Sequence, residues 1–465
     1  MKRKKILLLA DDLRMSSGVA TMSAEIVRQT IHEFDWVQLG GAIDHPEKGK
    51  EIDLSDAVMK DWGTTKREDG TKPYLKIYPV AGYGSQALVR MLLGKEKPDA
   101  IMIYTDPRFW IWLFQMEHEI RQEIPILYYN IWDDLPYPMW NREYYDSVDS
   151  LFNISKQTVN IVKNVRSTYE DWQATYIPHG INEKVFKPLT DEAGLKDVAD
   201  NRSKFKKDFE FILFYNARNI RRKLPGDLIL AWKTFVDMLP EDKKDKVAFL
   251  MHTSPVDQNG TDLVKVKDAI AGPDANIFFS TNQIKQEELN VLYNMADVCI
   301  NIASNEGFGL GTCEALMAGT PIIVNVTGGM QDQCGFKYKD KLLTDEDYSW
   351  VHSLHDAKKW KDNPDLTHGE WVKPIWPTNR SLQGSPPTPY IFDDRPSWED
   401  AADRIYEWYE TPKEERKKAG LKGREFCLME ETGLSADNMG KRFINDINTV
   451  FEKFKPRKRY EMFKS

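Results

Sequence analysis

At about 150 residues per domain, 465 residues make two to three domains with sizeable cores, which excludes a peptide hormone or a small disulfide scaffold. Hydrophobic content of 41%, with 12% aromatic residues, excludes a disordered chain. Lys and Arg number 64 against 72 Asp and Glu, a net charge of -8, so the overall balance does not predict nucleic-acid binding, although local basic patches stay open.

The opening Met-Lys-Arg-Lys-Lys and the apolar run Ile6 to Ala10 imitate a signal peptide. Asp11 and Asp12 stop that run well short of the roughly seven to fifteen residues an h-region needs. No later run approaches the roughly 18 apolar residues of a spanning helix, which predicts no membrane insertion. Cys299, Cys313, Cys334 and Cys427 form neither a CxxC pair nor a compact set with histidines, so neither a zinc site nor a disulfide framework is expected, and a reducing cytoplasm fits.

The stretch Lys4 to Asp12 reads as a buried strand, Ser16-Ser17-Gly18 as a turn, and Val19 to Ile31 as a helix, the first unit of a doubly wound sheet. Buried strands at 99–104, 124–130 and 151–155 alternate with helical stretches such as 108–122. A first Rossmann-like domain is therefore expected over 1–190, closing after Pro178-His179-Gly180. The charged stretch 191–207 separates it from a second series of short apolar runs at 209–215, 246–251, 277–279, 298–302 and 321–325, which predicts a second parallel sheet in a domain over 191–440. Residues 336–388, with Trp350, Trp360, Trp371, Trp376 and a Pro-rich stretch, read as an insertion. Residues 397–454 read as helical, and 441–465 as a closing helix with a tail of six Lys and Arg against one Glu.

The most specific segment runs from Ser304 to Pro321, where a strand ends, a glycine-rich turn follows and a helix begins near Gly311. Glycines let main-chain N–H groups crowd an anion and a helix N-terminus adds a positive dipole, which suits a diphosphate. Glu306 precedes the helix and Glu314 lies in its first turns, so the two are expected to meet different parts of one ligand. Two carboxylates beside a diphosphate repel it unless they bind hydroxyls.

This segment resembles the E-x7-E signature of family 4 of the retaining nucleotide-sugar glycosyltransferases, enzymes of the GT-B fold with two Rossmann-like domains facing across a cleft. Residues Ile177 to Asn182 with Val185 to Pro188 resemble that family's domain junction, Arg218 and Lys223 its Arg-x4-Lys pair, and Gly328-Gly329 a further turn. The resemblance implies a nucleotide-diphosphate sugar, a UDP-sugar first, as donor, with no metal. Glu314 would accept from the ribose hydroxyls, Glu306 would face the transferred sugar, and Arg218 and Lys223 would hold the diphosphate, with Arg222 sharing that role. The amides of Gly307, Phe308, Gly309 and Leu310 would assist, Ile284 would lie at the base, and Gly18, in the first domain's turn, would also meet the donor. Where the family often places a sugar-facing His, this chain has Trp132-Asp133-Asp134; Asp133 or Asp134 binds a sugar hydroxyl or orients the acceptor, or caps local structure.

Looser likeness of Leu9 to Arg14 and Tyr128 to Pro138 to glycosyltransferases of tailed phages makes a hydroxymethylated pyrimidine in DNA the leading acceptor, with glycan, lipid and protein acceptors as alternatives. Lys453, Lys455, Arg457, Lys458, Arg459 and Lys464 would meet the DNA, and the tryptophans of the insertion would stack on a base or else form a local core. His179 reads as a structural element before a proton carrier. A silent sugar-nucleotide or glycan binding module and a phosphorylase on the same fold are the rival readings.

Overall fold

The computed structural model describes residues 3–42, 46–64, 66–67, 69–352 and 354–458, of which 349–352 and 354–355 are described by their backbone alone. The chain divides into two compact units, residues 1–132, 137–180 and 436–465 in the first, and 133–136 with 181–435 in the second.

In the first unit an eight-stranded sheet has the spatial order Ile52–Asp53, Leu75–Pro79, Asp35–Gly41, Lys5–Asp11, Ala100–Tyr104, Ile126–Asn130, Ser150–Asn153, Ala174–Tyr176. Only the edge strand Ile52–Asp53 runs antiparallel. Ile6 to Ala10 are fully buried, as expected of a parallel strand covered by helices on both faces. Ser17 caps the helix Gly18–Thr30, its Oγ accepting from the Ala20 N–H at 3.0 Å. The helix Ala436–Lys453 also belongs to this unit; its Phe443 packs edge-on against Tyr129 and Phe152.

His179 closes the last turn of this unit and is buried between two tyrosines, with Nδ1 2.7 Å from the Tyr129 hydroxyl and Nε2 3.3 Å from that of Tyr104. Burial pushes its pKa from 6.5 down to about 3, so the ring is neutral and structural. The unfolded chain then binds the proton more tightly, and stability is lost as pH falls from about 6.5 towards 3, by up to about 1.4 kcal/mol per pH unit. Denaturant titrations at several pH values are expected to give a shallower acid slope for His179→Gln than for the unaltered chain.

The second sheet has six parallel strands in the order Ile277–Ser280, Val247–His252, Phe211–Asn216, Val298–Asn301, Ile322–Asn325, Val372–Ile375. Trp232 and Phe235 of the helix Pro225–Met238 and Ile405 and Trp408 of Trp398–Glu410 cover one face of it. Burying each such side chain stabilises by roughly 1.5–3 kcal/mol. Strand order reverses between Phe211–Asn216 and Val298–Asn301, so the loops after Asn216 and Asn301 flank a topological switch point, the place where such sheets bind ligands.

Several expected elements change. The charged stretch 191–207 contains the helix Glu192–Ser203, capped by Asp191, whose Oδ1 accepts from the Gly194 N–H at 2.8 Å; its mostly exposed surface is why it reads as a linker. Residues 108–122 form a 3-10 turn and two one-turn helices. The insertion does not run unbroken through 336–388, because Val372–Ile375 is an edge strand of the main sheet, where Pro374 is tolerated. What is added is a three-stranded patch with two short helical segments, and an antiparallel ribbon, Asn379–Ser385 with Thr388–Arg395. The units part after Gly180 and at Ala436 rather than at 190 and 440, since Ile181 already pairs with Ser435 inside the second unit.

Candidate functional site

Two loops build the site, both at the switch point of the second sheet. After Asn216 the chain passes Arg218 and a single 3-10 turn, Arg221–Lys223, and Leu224 then leads into the helix Pro225–Met238. After Asn301 it passes Ser304, Asn305 and Glu306, then turns at Gly309, where φ of +86° suits glycine, into the helix Leu310–Met317. A Cβ on Gly311 would lie 2.8 Å from the Asn216 carbonyl oxygen, so glycine, and not even alanine, lets this helix approach that strand end.

The glycine loop is held from behind. Gly329 donates its N–H to the Glu306 carbonyl at 2.9 Å, and a Cβ on Gly328, at φ +50°, would stand 2.0 Å from the same oxygen. The turn Gly328-Gly329 therefore acts by close backbone approach. Gln333 adds Nε2 hydrogen bonds to the carbonyls of Phe308 and Gly309, at 2.7 and 3.0 Å.

On this frame the charged groups converge. Glu306, 8% exposed, contacts the Lys223 ammonium and accepts from Arg222 NH1 at 3.2 Å. Arg222 also donates to the Asn305 carbonyl at 2.5 Å. Burial, then the neighbouring Arg222 guanidinium, push the Lys223 pKa well below the usual lysine range, while Asp133 works against them. Burial likewise raises Asp133, against the pull of Arg222 and Lys223. Asp134 is raised well above the usual carboxylate range by burial and by Asp133, although Asn305 donates to its Oδ1 at 2.6 Å. Residues 133–136 thus belong to the second unit, where two acids face two cations.

Glu314 stands one helix turn further on and accepts from the Tyr293 hydroxyl at 2.7 Å; that hydroxyl itself accepts from Asn216 at 2.8 Å. Burial raises the Glu314 carboxyl from 4.5 to about 7, with the Tyr293 bond opposing. Its outer surface stays partly accessible.

The structure therefore gathers Asp133, Arg222, Lys223 and Glu306, and sets Glu314 beside the same strand ends. It does not gather Arg218, whose exposed guanidinium donates to Asp257 at 2.9 Å. Ile284, partly buried, immediately precedes Lys285, the N-cap of the helix Gln286–Met295 that carries Tyr293. Gly18 lies in the first unit as an ordinary first residue of its helix. Tyr293, Asn216 and Asn219 join the site without any sequence signal, and Asn305 joins it from within the Ser304–Pro321 segment with no role read for it there; Asn219 is fully buried and ties down the loop 254–261 through its side chain.

The tryptophans of the added segment serve packing: Trp371 donates to the Gln333 carbonyl at 2.9 Å and lies against Phe426, Trp376 packs on Phe336, and Trp360 on Tyr338. Trp350 lies where only backbone is described, and Arg459 and Lys464 lie outside the described residues. In the tail Lys453, Lys455 and Lys458 are exposed, whereas Arg457 pairs with Glu117 at 2.8 Å. A cavity of about 880 Å³, lined by Phe209, Asp297 and Pro321, opens at the N-terminal ends of the second sheet's strands, away from these loops. Among the described residues no group of three or more His, Cys, Asp or Glu could hold a metal ion, and no helix is long and apolar enough to cross a membrane.

Residues 196–368, a stretch within the second unit, match the family Glycosyl transferases group 1. A stretch of 155 residues is 29% identical to the alpha-monoglucosyldiacylglycerol synthase of Acholeplasma laidlawii, a match over 33% of this chain and 36% of that protein's length. The fold of almost the whole chain is similar to that of sucrose-phosphate synthase from Thermosynechococcus elongatus, with TM-score 0.65 and 15% identity over 97% of this chain and 100% of that one. It is also similar to Anabaena HepE in complex with UDP and glucose, with TM-score 0.63 and 11% identity over 96% and 100% of the two chains. The architecture is accordingly GT-B, a mixed α/β fold with two parallel sheets.

Proposed function

We propose that this chain is a glycosyltransferase that takes a sugar from a nucleotide-diphosphate donor, a UDP-sugar first, and passes it with retention to an acceptor hydroxyl. One observation carries the reading: at a single switch point, a glycine turn and helix start stand beside two cations anchored on Glu306, with Glu314 a helix turn away. Arg222 and Lys223 supply positive charge where the leaving diphosphate gains negative charge, Lys223 from a buried position that makes its charge effective and Arg222 from an exposed one. Glu314 takes the ribose hydroxyls, Ile284 and its neighbours the base, and Glu306 with Asp133 or Asp134 the hydroxyls of the sugar. Arg218 acts at the outer edge, released from Asp257, or not at all.

In the transfer step the bond from the anomeric carbon to the phosphate oxygen breaks, the acceptor oxygen bonds to that carbon on the same face, and the acceptor's proton passes to the leaving phosphate. No protein nucleophile is needed. The UDP and glucose bound by HepE support the donor reading by analogy of fold.

The acceptor proposed first is a hydroxymethylated pyrimidine in DNA. The exposed Lys453, Lys455 and Lys458 favour it, while the packed tryptophans and the Glu117-bound Arg457 do not add to it. The test uses modified and unmodified duplexes with a nucleotide-sugar mixture, digested to nucleosides and weighed by mass spectrometry. A hexose or pentose increment confined to the hydroxymethylated duplex is expected; transfer only to a glycan, lipid or protein removes DNA. Donor binding without any turnover would favour the silent binding module.

A further inference from the structure

The ribbon Asn379–Ser385 with Thr388–Arg395 is rooted in the site by its returning strand. Asp394 donates its N–H to the Ser304 carbonyl at 3.1 Å, and its own carbonyl accepts from Asn325 at 2.8 Å. Its carboxylate accepts from Thr327 at 3.1 Å and from Arg380, its cross-strand partner, at 2.5 and 3.0 Å. Asp393 accepts from the Ser304 hydroxyl at 3.0 Å. The Phe392 carbonyl accepts from Asn305 at 2.5 Å, and its N–H donates to the Leu135 carbonyl at 2.5 Å.

Three consecutive residues of one strand thus spend main-chain and side-chain groups on Ser304 and Asn305, which directly precede Glu306, and on the chain beside Asp134. A ribbon of two strands is marginal by itself, so its place is set by these bonds, and they work in both directions. The clamp is the Arg380–Asp394 pair, with side chains only 9% and 11% exposed, and the guanidinium also lies over the Phe392 ring at 4.9 Å.

We propose that the ribbon is a positioning device for the sugar-facing carboxylates: the Arg380–Asp394 pair fixes the returning strand, which fixes Ser304 and Asn305, and through them Glu306 and Asp134. Arg380 and Asp394 are positioning residues, since each acts through the loop. The inference rests on the donor reading given above and adds to it a specificity element. Glu314 lies outside the residues the ribbon holds, whereas Arg222 bonds the Asn305 carbonyl and its own carbonyl accepts from the Ser304 N–H, so loosening the ribbon disturbs the sugar's surroundings more than the nucleotide's. A misplacement of about 1 Å costs up to about a hundredfold in rate.

The test compares the full chain with Arg380→Met, Arg380→Lys and Ser304→Ala, the last removing the hydroxyl's bonds to Asp393, Asn305 and the Arg222 carbonyl while leaving the main-chain bonds, and so keeping the test usable if Arg380→Met does not fold. UDP binding is measured by calorimetry, and consumption of UDP-glucose by release of UDP, with water or an added acceptor. Expected are a fall in turnover of tenfold or more for Arg380→Met and a smaller fall for Ser304→Ala. Partial recovery in Arg380→Lys and UDP affinity within about twofold throughout are expected as well. Unchanged turnover in folded variants, or UDP affinity falling in step with turnover, overturns the inference alone. Failure of the unaltered chain to bind UDP and to consume UDP-glucose overturns the donor assignment with UDP and this inference with it.

Discussion

Replacing Lys223 by alanine is expected to lower sugar transfer by about two orders of magnitude or more, the range seen when one fixed donor to a developing oxyanion is removed. Lys223 is the best-placed cation for this role: it is 8% exposed, in contact with Glu306, and faced by Asp133. Asp133 opposes the burial that lowers the Lys223 pKa, and an arriving diphosphate favours the charged ammonium further. Removing it also leaves Glu306 with Arg222 as its cation, so thermal unfolding must accompany the assay; Lys223→Met, which keeps the volume, separates lost packing from lost charge. Turnover within threefold of the unaltered chain in a folded variant would exclude Lys223 from the reaction. Arg218→Ala, by contrast, is expected to cost little, because its guanidinium is exposed and bound to Asp257.

The second large effect is expected at Glu314. Glu314→Gln should weaken donor binding by about 1–3 kcal/mol, since a carboxylate accepting from two hydroxyls outperforms an amide. Burial holds this carboxyl at about 7, well above its ordinary 4.5. Ribose hydroxyls donate to the ionised form, so donor affinity should rise as pH climbs through about 7, and the rise should vanish in Glu314→Gln. For stability the sign is opposite: the folded state binds this proton more tightly than the unfolded one, so between about 4.5 and 7 rising pH removes stability at this group. Calorimetric titration of UDP at several pH values checks the binding slope; a pH-independent affinity matching that of the Gln variant would remove Glu314 from the nucleotide site.

Much of the fold is legible in the sequence. Runs such as Ile6 to Ala10 and Phe211 to Tyr215 are apolar throughout because both faces of a parallel sheet are covered, and length with flanking polar residues was enough to name them strands. Glu306, the glycine turn and Glu314 are contiguous, so their spacing survives in one dimension. What could not be read was whatever the fold assembles from afar. Tyr293 meets Glu314 because two helices pack side by side, and nothing in its own surroundings marks it. The choice of Arg222 over Arg218 depends on a 3-10 turn that brings one arginine to Asn305 and Glu306 while Asp257 holds the other. Val372–Ile375 hides because an edge strand carrying Lys373 and Pro374 lacks the apolar run of an interior one. The attachment of Asp133 and Asp134 to the second unit is a tertiary fact with no local trace.

The central claim, that the second unit binds and spends a nucleotide sugar, is tested most directly by incubating the purified chain with a panel of nucleotide sugars and following nucleoside diphosphate release, with and without free phosphate. One donor is expected to bind and to release its nucleoside diphosphate without added phosphate. The transferred or hydrolysed sugar is expected to keep its anomeric configuration, and Lys223→Ala to lower the release by about two orders of magnitude or more. No binding or consumption of any nucleotide sugar, or cleavage that requires free phosphate, would contradict it.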